Sequence, residues 1–184
     1  MKKLGAVLIA VGLMAGSAFA IGTGTRELGV RGDFTFTDEL DAALSYGYFV
    51  TDEIEVLGMA MIDWQDWGDQ DTTLFGARIA ADYHFMQLGS ETMIPYVEVR
   101  AGWINFESDV MTGNVNIGES SDAGQLEGDA VTVGAGAGVK YMMAENVALN
   151  GAIFFDWADE EVFYDEGEIE DTEVSLEVGL NFYF

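Results

Sequence analysis

The sequence predicts an all-β protein: an eight-stranded antiparallel up-and-down transmembrane β-barrel. Three observations point there. Eight segments alternate apolar and polar residues at period two, and none shows a convincing helical period. The connections between them are short on one side and long and polar on the other. One face of every segment is free of charge, apart from Arg26 at the extreme start, although the 184-residue chain has a formal net charge of -26. A composition 49% hydrophobic and 12% aromatic is too apolar for an acidic disordered chain, so the charge must be segregated. Beyond residue 20 no apolar run approaches the ~20 residues of a spanning helix. A chain of this kind that enters a membrane does so as a closed barrel.

The first element, residues 1–20, reads as a cleaved secretory signal peptide, leaving 21–184 as a single barrel domain. Lys2 and Lys3 precede an apolar run from Leu4 to Met14, and Ala18-Phe19-Ala20 supplies a small-x-small cleavage site. The competing reading, an uncleaved anchor, would need a longer apolar run. The chain contains no cysteine, which excludes an amino-terminal lipid anchor and disulfides alike.

Strands are predicted near 26–36, 41–50, 54–64, 72–85, 95–106, 129–143, 147–157 and 172–184. The first sets Leu28, Val30, Phe34 and Phe36 against Glu27, Arg31 and Asp33. The second offers Leu44, Tyr46, Tyr48 and Val50 on its apolar face. In the third, Ile54, Val56, Ile62 and Trp64 oppose Glu55 and Asp63. The fourth places Phe75, Ile79, Tyr83 and Phe85 opposite Arg78, Asp82 and His84. The fifth starts at Pro95, the single proline, where a missing N–H does least harm; Val97, Val99 and Trp103 there oppose Glu98 and Arg100. Val131, Val133, Val139 and Tyr141 of the sixth back onto Lys140 and the glycines 134, 136 and 138. The seventh turns Leu149, Ile153, Phe155 and Trp157 away from Asp156. The last turns Val174, Leu176, Val178, Leu180, Phe182 and Phe184 away from Glu173 and Glu177.

The connections TDEL, TDE, MQLGSETMI and AEN are short to moderate, whereas QDWGDQD, the stretch 108–129 and ADEEVFYDEGEIED are longer. Lengths alone therefore assign a periplasmic rim and an outer rim. A soluble eight-stranded barrel would carry the same alternation inside out, with charges in water. The aromatic residues favour the membrane. Trp64, Trp103, Phe155 and Trp157 fall near the outer strand ends, and Tyr48, Tyr83, Phe85, Tyr141 and Phe182 near the others. Two interfacial girdles suit rings with apolar bodies and polar tips.

At the carboxyl end Glu177-x-Gly179-x-x-Phe182-x-Phe184 resembles the assembly signal of outer-membrane barrels. Together with the signal peptide, the chain is similar to the small OmpX/OmpW-like outer membrane β-barrel family. The resemblance is architectural over the mature chain and motif-specific only over the last eight residues. It implies residence in the outer membrane of a Gram-negative-type bacterium and insertion by the barrel assembly machinery; from the sequence itself, no peptidoglycan-binding tail is expected after Phe184. It does not imply a substrate, since members range from plugged structural or adhesive barrels to narrow channels.

Four of the five basic residues after position 20, Arg31, Arg78, Arg100 and Lys140, fall on the charged face. Inside eight strands there is room only for side chains, so these should pair with Asp33, Asp82, Glu98 and Glu177. A plugged lumen is one expectation, in which Arg78 or Arg100 replaced by Met would leave carboxylates unpaired. A narrow channel is the other; acids outnumber bases on this face, so it would favour cations. Gly134, Gly136 and Gly138 either open space along one wall or make room for bulky Phe49, Met59, Met61 and Phe154. As a phosphate loop GAGAGVK is poor, because no Ser or Thr follows the lysine.

Catalysis finds little footing. The single histidine, His84, sits far from the long loops and reads as structural, and no Ser-His-acid arrangement is visible. The expectation is a non-enzymatic monomer without cofactor or resident metal, in contact with outer-membrane lipid. So acidic a surface repels nucleic acid. The loop acids, among them Asp66, Asp69, Asp159, Glu160 and Asp171, could attract divalent cations weakly. No calcium-loop motif is present, and a solvated acidic surface is the simpler reading.

Overall fold

A computed structural model of the chain describes residues 21–33, 39–66, 71–90, 92–109, 125–160, 163–165 and 168–184; side chains are described for 21–32, 42–62, 74–90, 92–105, 128–160 and 171–184. The signal-peptide reading of 1–20 therefore lies outside the described residues. Among those described, eight long strands close into a barrel: β1 (Arg26–Asp33), β2 (Glu39–Phe49), β3 (Ile54–Asp66), β4 (Asp71–His84), β5 (Met93–Asp109), β6 (Gln125–Ala144), β7 (Val147–Ala158) and β10 (Thr172–Tyr183). Every neighbouring pair is antiparallel, and β1 closes the cylinder against β10, with Glu27 facing Tyr183 and Asp33 facing Glu177. Closure satisfies the backbone groups that an open sheet edge would leave bare.

The eight strands fall where the alternation predicts, the expected end of the first at 34–36 lying outside the described residues, with two departures. First, β5 and β6 run further than expected, pairing out to Asp109 and Gln125. Both ends of the 108–129 connection are thus ladder, and 110–124 lie outside the described residues. β7 reaches β6 only from Thr132, opposite Ala158. Second, the last long connection contains a small hairpin, β8 (Phe163–Asp165) with β9 (Glu168–Glu170). A register shift between Met142 and Ala144 marks the tight turn into β7.

The direction of the faces is the decisive observation. Leu44, Val56, Ile79, Val99, Ile153 and Leu176 are exposed, Ile79 by 69%, whereas Glu27, Arg31, Glu55, Asp82, Glu98, Arg100, Lys140 and Asp156 are buried. That inversion suits a hydrocarbon surround and excludes the soluble alternative, in which the apolar set would pack inward. No described helix is long and apolar enough to cross a membrane, and the strands do the crossing.

Candidate functional site: the charged lumen

β7 climbs the inner wall and names its levels. Its buried residues, in order from the short-turn rim, are Ala148, Asn150, Ala152, Phe154, Asp156 and Ala158. At the bottom Ala148 packs with Phe49 and Tyr183 to form an apolar floor. At the top Ala158 packs with Ile104 and Ala130. Polar side chains occupy the levels between, together with the apolar clusters of Tyr96 with Phe154 and of Leu57 with Met59 and Ala80.

Just above the floor, the Lys140 ammonium donates to Glu27 Oε2 at 2.8 Å and Glu55 Oε2 at 2.9 Å, and lies 3.5 Å from Asp82 Oδ2. One cation from β6 thereby gathers carboxylates from β1, β3 and β4. Gly47 makes this arrangement fit: a Cβ there would lie 2.1 Å from Glu55 Oε1. The ammonium also sits 5.3 Å from the Tyr96 ring centre, within range of a cation–π attraction. Tyr96 in turn donates its hydroxyl to Asn150 Oδ1 at 2.7 Å.

His84 stacks beside this cluster, its ring centre 5.0 Å from that of Phe49 and 5.7 Å from that of Tyr96. Its Nδ1 lies 3.3 Å from the Glu53 carbonyl oxygen. Its Nε2 lies 3.8 Å from Glu55 Oε2 and 4.0 Å from Asp82 Oδ2.

Two further pairings cross the middle of the lumen. Arg31 donates to Glu98 at 2.6 Å, joining β1 to β5. Arg100 forks between Asp156 and Glu177, the latter at 2.6 Å, and its guanidinium lies 3.7 Å from the Phe154 ring centre. Fork geometry and stacking are what a planar guanidinium offers over a lysine. Between Arg31, Arg78, Arg100, Met59, Met61 and Glu177 lies a cavity of about 20 Å³, room for about one water molecule.

The expected residues therefore separate into groups. Arg31 and Glu98, Arg100 and Glu177, and Lys140 and Asp82 are brought together. Arg78 is buried but makes no ion pair among the described residues, and its Nε has no hydrogen-bond partner. It neighbours Arg100 around the cavity and is attracted by Asp156, Glu177 and Glu173. Asp33 lies opposite Glu177 in the ladder, but its side chain is outside the described residues. Glu27, Glu55 and Asp156 carry most of the contacts with the buried cations, and their position on the charged face was the available signal.

Gly134, Gly136 and Gly138 of β6 make room, as one of the two expectations held. A Cβ at Gly136 would lie 2.3 Å from Phe154 Cδ1, one at Gly134 2.0 Å from Asp156 Oδ1 and one at Gly138 2.7 Å from Tyr96 Cε1. Phe154 is thus accommodated as expected. Asp156 and Tyr96 fill the other two spaces, while Phe49 packs at the floor, Met59 with Leu57 and Met61 against Gly76.

On the outer face Trp103, Phe155 and Trp157 are exposed at the long-loop side, and Tyr48, Tyr83 and Tyr141 at the short-turn side. Phe85 is half-buried, packed edge-on against Tyr83. Trp64 pairs with Leu40 and Thr73 in the ladder, while its side chain lies outside the described residues. Phe182 departs from the girdle, being only 9% exposed. Its ladder partners Leu28 and Val147, both half-buried, flank the ring on either side. In the rest of the terminal motif, Glu177 points inward to Arg100, Gly179 adjoins the Arg31 stem, and Phe184 is exposed.

Below the floor, the turn after β2 is latched to the chain ahead of β1. Thr23 donates to Asp52 Oδ1 from its backbone N–H at 2.8 Å and from its hydroxyl at 2.7 Å. These bonds hold the Asp52 carboxyl below its ordinary pKa. Gly24 follows at φ 90°, a left-handed conformation that favours glycine.

Comparison with known proteins agrees with this geometry. The amino-terminal β-barrel domain of Pseudomonas aeruginosa OprF superposes with a TM-score of 0.58 at 24% identity, covering 89% of this chain and 99% of that one. Neisserial surface protein A gives 0.57 at 13% identity, over 88% and 94%. The outer membrane protein OprG of Pseudomonas aeruginosa gives 0.53 at 12% identity, over 90% and 98%. At such identities the likeness is one of fold. A search of curated proteins returns no match. Residues 4–184 match the family described as OprF membrane domain. Because that match spans nearly all of the chain, the protein belongs to the OprF membrane domain family.

Proposed function

We propose that this protein is an integral, non-enzymatic outer-membrane barrel with a structural or surface-interaction role, its lumen filled by a charged side-chain network and lacking a continuous wide pore. The observation carrying this reading is the stack of buried pairs, Lys140 with Glu27 and Glu55, Arg31 with Glu98, and Arg100 with Asp156 and Glu177, between an apolar floor and an apolar upper cluster. Such pairs tie opposite walls together and leave a cavity sized for a single water. On this reading the protein reaches the membrane by signal-peptide export and the barrel assembly machinery, works as a monomer in contact with outer-membrane lipid, and presents acidic loops to the exterior. Planar-bilayer recording tests it. Purified protein should give no sustained conductance steps, and stable ohmic steps of porin size would overturn the plugged lumen.

A second reading is a narrow cation-favouring channel. It draws on the excess of buried carboxylates over buried cations and on the water-sized cavity. Small, cation-selective steps whose selectivity changes in Arg78→Met would favour it.

A further inference from the structure

Near the short-turn rim three buried acceptors face one another. A carbonyl oxygen can only accept, so the His84 Nδ1 that lies 3.3 Å from Glu53 O carries the ring proton. In the neutral ring Nε2 then presents a lone pair. That lone pair faces Glu55 Oε2 at 3.8 Å and Asp82 Oδ2 at 4.0 Å, and all three side chains are fully shielded from solvent. His84 Nε2, Glu55 Oε1 and both Asp82 oxygens have no hydrogen-bond partner. One ligand atom from each residue falls within 4.8 Å of the others. Lys140 reaches the same two carboxylates but makes no hydrogen bond to the imidazole. Acceptors turned on one another in a low-dielectric interior are costly unless something positive stands between them.

Charge counting leads the same way. Glu27, Glu55 and Asp82 bring three carboxylates to a cluster with one ammonium, Lys140. Arg31, which also attracts all three, is matched by Glu98, so the fully ionised cluster is two positive charges short of neutral.

We propose that Glu55, Asp82 and His84 form a binding site for a divalent transition-metal ion of the zinc type, held inside the barrel next to its floor. One imidazole nitrogen with carboxylate oxygens suits zinc, cobalt or manganese better than calcium or magnesium, which prefer a shell of oxygens alone. The bond from Nδ1 to a backbone carbonyl is the outer contact that fixes tautomer and orientation in metal-bound histidines. Ligands around a tetrahedral ion at about 2.0–2.1 Å stand about 3.3 Å apart, so from 3.8 Å and 4.0 Å the imidazole has to approach each carboxylate by about 0.5–0.7 Å, and the two carboxylates, within 4.8 Å of each other, have to close by up to about 1.5 Å. The neighbouring rings of Phe49 and Tyr96 fix the imidazole for that closure. Because the cluster is enclosed, the ion loads as the barrel folds, clamping β3 to β4. This site is separate from the acidic outer loops, which hold no histidine.

The test uses the untagged chain refolded into detergent micelles with Zn²⁺ or Co²⁺, then dialysed exhaustively. Elemental analysis should return one ion per folded chain, and Co²⁺ should show d–d absorption with a nitrogen ligand. His84→Ala and Glu55→Gln, each confirmed as folded by heat-modifiable gel mobility, should lower affinity about tenfold or more; Asp82→Asn replaces whichever of them does not fold. Less than a tenth of an ion per wild-type chain would overturn the proposal, leaving protons to balance the cluster. Equal uptake by a folded His84→Ala would overturn it too, placing the ions on the acidic surface.

Discussion

Lys140 Nζ donates to Glu27 Oε2 at 2.8 Å with both side chains fully shielded, and so bridges β6 to β1 across the lumen. Replacing Lys140 by Met removes the cation that lies within 3.5 Å of Glu27, Glu55 and Asp82 together. Stranding buried carboxylates costs about 3–5 kcal/mol, read as a lower urea midpoint in detergent or lipid. Adding Glu27→Gln and Glu55→Gln should recover part of the loss, since paired removal is milder than removal of one partner.

Arg100 and Arg78 are neighbours with unlike surroundings. Arg100→Met strands Asp156 and Glu177 and should destabilise the barrel by about 3–5 kcal/mol. Arg78 is attracted by the same Asp156 and Glu177, and by Glu173, but Arg100 holds the hydrogen bonds to the first two, so Arg78→Met should cost clearly less than Arg100→Met. Equilibrium unfolding of the two variants side by side checks the contrast.

Ile79 lies midway along β4, points outward and is 69% exposed. A charge there meets hydrocarbon, and Ile79→Arg should cost about 2–4 kcal/mol when folding into lipid vesicles. Leu88 is 76% exposed in the turn after β4, so Leu88→Arg at the interface should cost about 0–1 kcal/mol. Equal penalties would contradict the outward orientation of the apolar face.

The latch between Thr23 and Asp52 should respond to acid. The Asp52 carboxyl titrates below its ordinary value because Thr23 donates to its ionised form. Its contribution is therefore full above the ordinary carboxylate range and fades as pH falls through the lowered pKa. Amide exchange at Thr23 should speed up on acidification, once corrected for intrinsic rates. In Asp52→Asn that added pH dependence should disappear.

The strands and their outward direction were legible because lipid imposes a strict rule: a charge on the wrong face is costly at every second position. Ile79, Val99 and Ile153 obey it, and so do Arg31, Arg100 and Lys140 on the other side. The pairing inside was less legible. Lys140 meets Glu27 and Glu55, which are far away in sequence, because the stagger of eight strands sets which residues share a level. Alternation says nothing of stagger. Nor did it reveal β8 and β9, whose three-residue strands lie in an acid-rich connection too short to show a period. Phe182 misled in a different way. Its parity is outward, but its flanking partners Leu28 and Val147 decide how much of the ring stays open.

The unequal strand lengths carry a consequence for life above the membrane. β6 is 20 residues long, about 68 Å of extended chain, while a membrane barrel's apolar band is about 25 Å tall. Even tilted, the β5–β6 ribbon stands proud of the bilayer as a parapet. One flank of it, residues 125–130 of β6, lies beyond the described β7 ladder, which ends where Asp159 bonds Val131. The sequence sets Glu127 and Asp129 along this flank, like charges of the kind that discourage edge-to-edge pairing of strands.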